Sequence, residues 1–109
     1  MTLNPEKAAL RKHLLEKRDS TSFDLMGIHS EKILSKLMKT KVISEAESIA
    51  CYYSIGSEVQ TVELITRLLD EKKCVSLPRI SSNAMSFRII DNLSKLDKGE
   101  FDIPEPKDN

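Results

Sequence analysis

The sequence predicts an α/β fold: a mainly parallel sheet with flanking helices in the three-layer arrangement, in a single domain over residues 1–109. Three observations predict it. Apolar residues recur at helical spacing in three segments, and the pattern switches to short, β-prone apolar runs at 48–54 and 74–77. The third helical segment lies between those two runs, which makes a strand, helix and strand unit with a parallel pair and a right-handed crossover. The length of 109 residues suits one domain with a modest core.

The first helix runs from Pro5 to Arg18. Leu10, Leu14, Ala8 and Leu15 form its apolar stripe, Asn4 is placed to cap it, and Pro5 takes the first helical position, where a missing N–H costs nothing. A second helix spans about Ser22 to Met38, with Phe23, Met26, Ile33 and Leu37 on the apolar side; Gly27 weakens it by about 1 kcal/mol relative to Ala. The run 48–54 is apolar almost throughout, as in a strand covered on both faces, and Gly56 and Ser57 end it. Thr61 is the expected cap of a third helix carrying Val62, Leu64, Ile65, Leu68 and Leu69. Cys74–Leu77 is the next strand, stopped by Pro78, which has no N–H for a ladder.

Residues 84–90 alternate Met85, Phe87 and Ile89 with Ser86 and Arg88, the period of a further strand, before a short helical turn near Asn92 to Leu96. Three strands with two long helices and one crossover make a thin layer. The expectation is therefore of an incomplete fold, with the polar, Pro-rich end reading as a linker before a further strand. Cys51 and Cys74 sit in separate apolar runs and read as buried thiols, neither a zinc knuckle nor a redox pair.

Lys and Arg number 17, as do Asp and Glu, for a formal net charge of zero. Such a chain has no field to attract a nucleic-acid backbone or an anionic membrane. No apolar run approaches the roughly 18 to 20 residues of a membrane span, and Met1 is not followed by a secretory signal, so the reading is cytoplasmic, without nucleic-acid or membrane partners.

No Gly-rich phosphate loop, nucleophile elbow or metal-spaced cluster is present, so the sequence names no metal ligand. His13 and His29 fall in different helices and read as solvated or structural. Open α/β sheets take ligands outside the carboxyl ends of their strands, which points to Tyr53 through Glu58 and to Pro78 and Arg79. Glu58 either complements the dipole of the helix that starts near Thr61 or accepts hydrogen bonds from amino and amide groups of a ligand. Arg79 is either a phosphate partner or a solvated rim residue. Lys7 and Arg11 are like charges four residues apart on one helix face, a mildly unfavourable pair at about 0.2–0.5 kcal/mol that a bound anion would relieve.

Five segments, Lys7-Ala8-Ala9-Leu10-Arg11, Tyr53-Ser54-Ile55-Gly56-Ser57-Glu58-Val59-Gln60-Thr61, Leu77-Pro78-Arg79, Met85-Ser86-Phe87 and Phe101-Asp102-Ile103-Pro104-Glu105-Pro106, follow in this order. With these spacings they resemble the amino-terminal part of the 5-formyltetrahydrofolate cyclo-ligase (methenyltetrahydrofolate synthetase) family, over essentially the whole chain. The resemblance implies a cyclo-ligase-like fold and an ATP- and magnesium-dependent ring closure. In that reaction the formyl oxygen of 5-formyltetrahydrofolate is phosphorylated, a neighbouring folate nitrogen attacks the activated carbon, and phosphate leaves to give 5,10-methenyltetrahydrofolate. By the same resemblance Lys7 and Arg11 contact ATP, Tyr53 and Glu58 contact folate, and Pro78 and Arg79 line the site.

The family pattern continues into a Pro-Gly strand end, a Gly- and Tyr-rich loop with Arg, and an Asp ligand of magnesium, none of which is among these residues. The resemblance thus implies a chain that holds part of a site and turns over little by itself. The alternative is a non-catalytic folate-binding or protein-interaction module that self-associates through its sheet edge.

Overall fold

The computed structural model describes residues 4–99 and 103–106. In chain order the elements are α1 (Pro5–Asp19), α2 (Phe23–Met38), α3 (Lys41–Glu45), β1 (Ser48–Ala50), α4 (Val62–Asp70), β2 (Cys74–Ser81), β3 (Ala84–Ile90), a 3-10 turn (Leu93–Lys95), β4 (Asp97–Lys98) and β5 (Pro104–Glu105). None of the helices among the described residues is long and apolar enough to cross a membrane.

The two long helices begin where their caps place them. The Asn4 side chain accepts the Glu6 and Lys7 N–H groups at 3.0 and 3.3 Å, and Ser22 Oγ accepts that of Leu25 at 3.2 Å. The short α3, started by Thr40 Oγ1 accepting from Ile43 N–H, is too brief to show a hydrophobic period and was not expected.

In the sheet, β1 and β2 pair parallel from Ser48↔Cys74 to Ala50↔Ser76, with α4 between them in sequence, as the apolar runs predict. β2 and β3 pair antiparallel over seven residues, from Val75↔Ile90 to Ser81↔Ala84. The expectation of a mainly parallel sheet is corrected here: the three-stranded sheet is mixed. The reason is the two-residue connection, in which Ser82 and Asn83 take φ of +46° and +69°. Two consecutive left-handed residues form the tight hairpin turn, and a connection that short joins only antiparallel neighbours.

Pro78 does not end β2 either. Cys74 N–H donates to Glu47 O, and Cys51 N–H donates to Ser76 O, so the even-numbered residues of β2 turn their backbone groups toward β1. β1 stops opposite Ser76, which leaves the β1 side of Pro78 with no ladder to join. A residue lacking an N–H is tolerated there.

The core is formed by Ile65 and Leu68 of α4, Val75 and Leu77 of β2, and Ile90 of β3. Met38, Ile43, Leu93 and Leu96 pack around it. All of these meet the sheet face that carries Val75, Leu77 and Ile90. On the other face, Met85, Phe87 and Ile89 are 63%, 53% and 72% exposed. The alternation that marks β3 as a strand is correct, but its apolar side is the open side. Among the described residues the helices that pack on the sheet meet the face of Val75, Leu77 and Ile90, in keeping with the expected incomplete fold.

Candidate functional site

The chain leaves β1 as an extended segment, not as the seven-residue strand expected. Cys51 makes the last ladder bond, and the following backbone groups are taken by one side chain. Thr61 Oγ1 accepts Ser54 N–H at 3.0 Å and donates to Tyr52 O at 2.7 Å, while Thr61 N–H donates to Ser54 Oγ at 3.0 Å. Thr61 and Ser54 are both buried. With its hydroxyl so committed, Thr61 makes no side-chain cap to α4, contrary to the sequence reading.

Between the two halves of this clasp lies the turn Ile55–Glu58. Gly56 has φ +55°, a conformation that side chains other than glycine's rarely adopt. Glu58 Oε1 accepts Ile55 N–H at 2.8 Å, and Glu58 N–H donates to Ile55 O at 3.2 Å. The half-buried carboxylate therefore shapes its own turn. Gln60 N–H donates to Ser30 Oγ of α2 at 2.9 Å, anchoring the far side of the loop.

The turn is also tied to α1. Arg18 Nε–H donates to Ser57 Oγ at 2.8 Å, and Ser57 Oγ–H donates to the Asp19 carboxylate. Lys7, Arg11 and Arg18 share one helix face with Leu10, Leu14 and Leu15, lining a shallow hollow of about 390 Å³. Eleven residues of helix separate Lys7 from Arg18, about 16 Å along the axis, so the basic face extends outward from the turn that holds Glu58.

Adjacent residues of an extended chain point to opposite sides, and this separates the two tyrosines. Tyr53, the expected folate contact, is half-buried against the core cluster. Tyr52 reaches across the loop and donates its hydroxyl to Val59 O at 3.0 Å. Burial, and then the charge of Glu58, push the Tyr52 phenol above its ordinary value, against a lowering by Arg18. Burial likewise raises the Cys51 thiol. Cys51 and Cys74 are both half-buried and free of any disulfide.

Pro78 and Arg79 lie within β2 and not beyond its end. Arg79 Nη1–H donates to Pro106 O at 2.7 Å, and Ile80 N–H donates to Glu105 Oε2 at 2.9 Å. Glu105 is buried, and a Cβ at Gly99 would overlap its side chain, so glycine is required there by close approach. The Glu-Pro pair thus latches the end of the described chain onto the edge of β2 that β1 leaves open. Phe101 and Asp102 of the same motif lie outside the described residues. Sequence reasoning missed Arg18, Asp19, Ser57, Tyr52 and Glu105 as partners in these contacts. Only Ser54, Ser57 and Thr61, residues prone to bond backbone groups, hinted at the clasp.

An open α/β sheet whose strand-end loop is tethered to a basic helix defines the class of proteins that present their ligand side at the carboxyl ends of the strands. The chain belongs to the 5-formyltetrahydrofolate cyclo-ligase family, whose model matches residues 3–109. Among solved structures it is similar to the NMR structure of Aquifex aeolicus 5,10-methenyltetrahydrofolate synthetase, at 30% identity and a TM-score of 0.84. That match covers 94% of this chain and 52% of the other, so the chain spans about half the length of that protein. Comparison with curated proteins gave no match.

Proposed function

We propose that this chain is the amino-terminal part of a cyclo-ligase domain and supplies the ATP- and folate-contacting side of a site that converts 5-formyltetrahydrofolate to 5,10-methenyltetrahydrofolate in the cytoplasm. The observation that carries the reading is the Arg18, Ser57 and Asp19 tether, which couples the basic face of α1 to the turn built around Glu58. In this reading Lys7 and Arg11 pair with nucleotide phosphates, where cations offset charge that develops during phosphoryl transfer. Glu58 orients the folate ring through its amino and amide donors. Tyr53 packs behind it, and Pro78 and Arg79 shape the neighbouring wall.

Magnesium does not fit these residues. No group of three or more His, Cys, Asp or Glu able to hold a metal ion occurs among the described residues. No step of the reading is therefore routed through a metal held by this chain. A 109-residue preparation with ATP, magnesium and 5-formyltetrahydrofolate is expected to bind both organic ligands in calorimetric titration while producing no methenyl absorbance. Absence of heat for both ligands overturns the reading; turnover on the order of 1 per second or faster overturns the division of roles.

Glu58→Gln separates binding from structure. A Gln side-chain oxygen still accepts Ile55 N–H, so the turn and the melting temperature are expected to stay as they are. Loss of the negative charge weakens bonds from ring donors, and folate affinity is expected to fall by about 1.5–3 kcal/mol. An unchanged affinity with lowered stability assigns Glu58 to the turn alone.

The second reading, a non-catalytic module that pairs through its sheet edge, draws on β3, whose outer edge has no strand partner among the described residues. Such a module binds no ATP, and the same titration distinguishes it.

A further inference from the structure

Ser57 lies within the turn that carries Glu58, and both hydrogen-bonding roles of its hydroxyl are taken by one helix. Arg18 Nε–H donates to Ser57 Oγ at 2.8 Å, and Ser57 Oγ–H donates to the Asp19 carboxylate. Gripped by consecutive residues, the hydroxyl is fixed relative to the last turn of α1. An acid at the carboxyl end of a helix opposes the macrodipole, so Asp19 does nothing for α1 itself. Its bond to Ser57 is what it contributes.

The two sides of this linkage are the two halves of the proposed site. Between Lys7 and Arg18, α1 contains no glycine or proline, so the helix moves as one rod. On the other side Ser57 adjoins Glu58, whose Oε1 accepts Ile55 N–H, so the hydroxyl and the carboxylate belong to one small turn. The base of the loop is anchored elsewhere. Gln60 N–H donates to Ser30 Oγ of α2, and Ser54 and Thr61 bond each other. The loop is thus held at its base by α2 and the clasp, and at Ser57 by α1.

We propose that Arg18, Ser57 and Asp19 are positioning residues that couple the two ligands: a nucleoside triphosphate on Lys7 and Arg11 raises the affinity of the Glu58 turn for the reduced folate, and the folate raises that of α1 for the nucleotide. This rests on the nucleotide and folate assignments made above, and adds that the two sites do not act independently. A ligand on α1 restricts the helix and, through Ser57, the turn. The second ligand then meets a carboxylate already restricted and loses less freedom on binding. The sign is positive because the two ligands react with each other, so one arrangement of helix and turn has to suit both. Coupling between two binding equilibria is reciprocal, and both affinities rise by the same factor.

The 109-residue chain is titrated calorimetrically with 5-formyltetrahydrofolate, alone and with a saturating non-hydrolysable ATP analogue. Folate is expected to bind about fivefold or more tightly with the analogue present, and the reverse titration to give the same factor. Ser57→Ala removes both halves of the linkage without changing charge. It is expected to bind each ligand alone within about twofold of the parent chain, while the coupling factor falls to about one. Ser57→Thr keeps the hydroxyl and is expected to keep the coupling. Asp19→Ala, at an exposed helix end where folding is not at stake, is expected to lower it as Ser57→Ala does. A Ser57 that served structure alone would lower the melting temperature and both single affinities and leave the factor as it is. A coupling factor that survives Ser57→Ala and Asp19→Ala therefore overturns the proposal, as does a parent chain that binds the two ligands independently. Absence of heat for both ligands, alone and together, overturns the proposed function and this inference with it.

Discussion

Leu77→Ala is expected to destabilise the chain by about 2–5 kcal/mol, from the lost transfer energy of the side chain and the cavity it leaves. Leu77 is fully buried in the central strand, in the cluster that includes Ile65 and Leu68 of α4. Small domains have total stabilities of about 5–15 kcal/mol, so one such substitution removes a large share. Urea denaturation reads this as a fall in midpoint at nearly constant slope. Met85→Ala, on the open face of the same sheet, is expected to change stability by no more than about 0.5 kcal/mol. Equal costs at the two positions would mean that both faces are covered in solution.

Thr61→Val is the second large effect expected, at about 2–4 kcal/mol, because an isosteric swap strands two backbone groups at once. Ser54 N–H loses its acceptor in a buried setting and Tyr52 O loses its donor in a part-buried one. The Ile55–Glu58 turn is hung from this clasp, so amide exchange at Ser54 and Ile55 is expected to speed up and, if Glu58 holds folate as proposed, folate affinity to fall with it. Thr61→Ser keeps the hydroxyl and is expected to restore the exchange protection. If Thr61→Val melts like the parent chain, the clasp does not hold the loop.

Several elements were legible in the sequence because their causes are local. The starts of α1 and α2 follow from Asn4 and Ser22, whose side chains reach backbone groups two and three residues on. The parallel β1–β2 pair follows from two apolar runs separated by one amphipathic helix. The alternation in 84–90 marks β3, and the spacing of the motifs marks the family.

What only the tertiary structure decided depends on partners distant in sequence. Periodicity says that Met85, Phe87 and Ile89 share a face, but not which face the helices cover. Whether Pro78 ends a strand depends on whether a neighbour needs its N–H, and β1 has already stopped at that point. Glu105 reaches Ile80 across 25 positions and Arg18 reaches Ser57 across 39. A cap or a period is written within one turn of chain, whereas a hydrogen bond between distant segments exists only once packing has brought both ends together. For that reason the Glu58 turn, its tether to α1, the loss of the Thr61 cap and the Glu105 latch belong to the tertiary structure, while the starts of α1 and α2, the helical stripes and the strand alternation belong to the sequence.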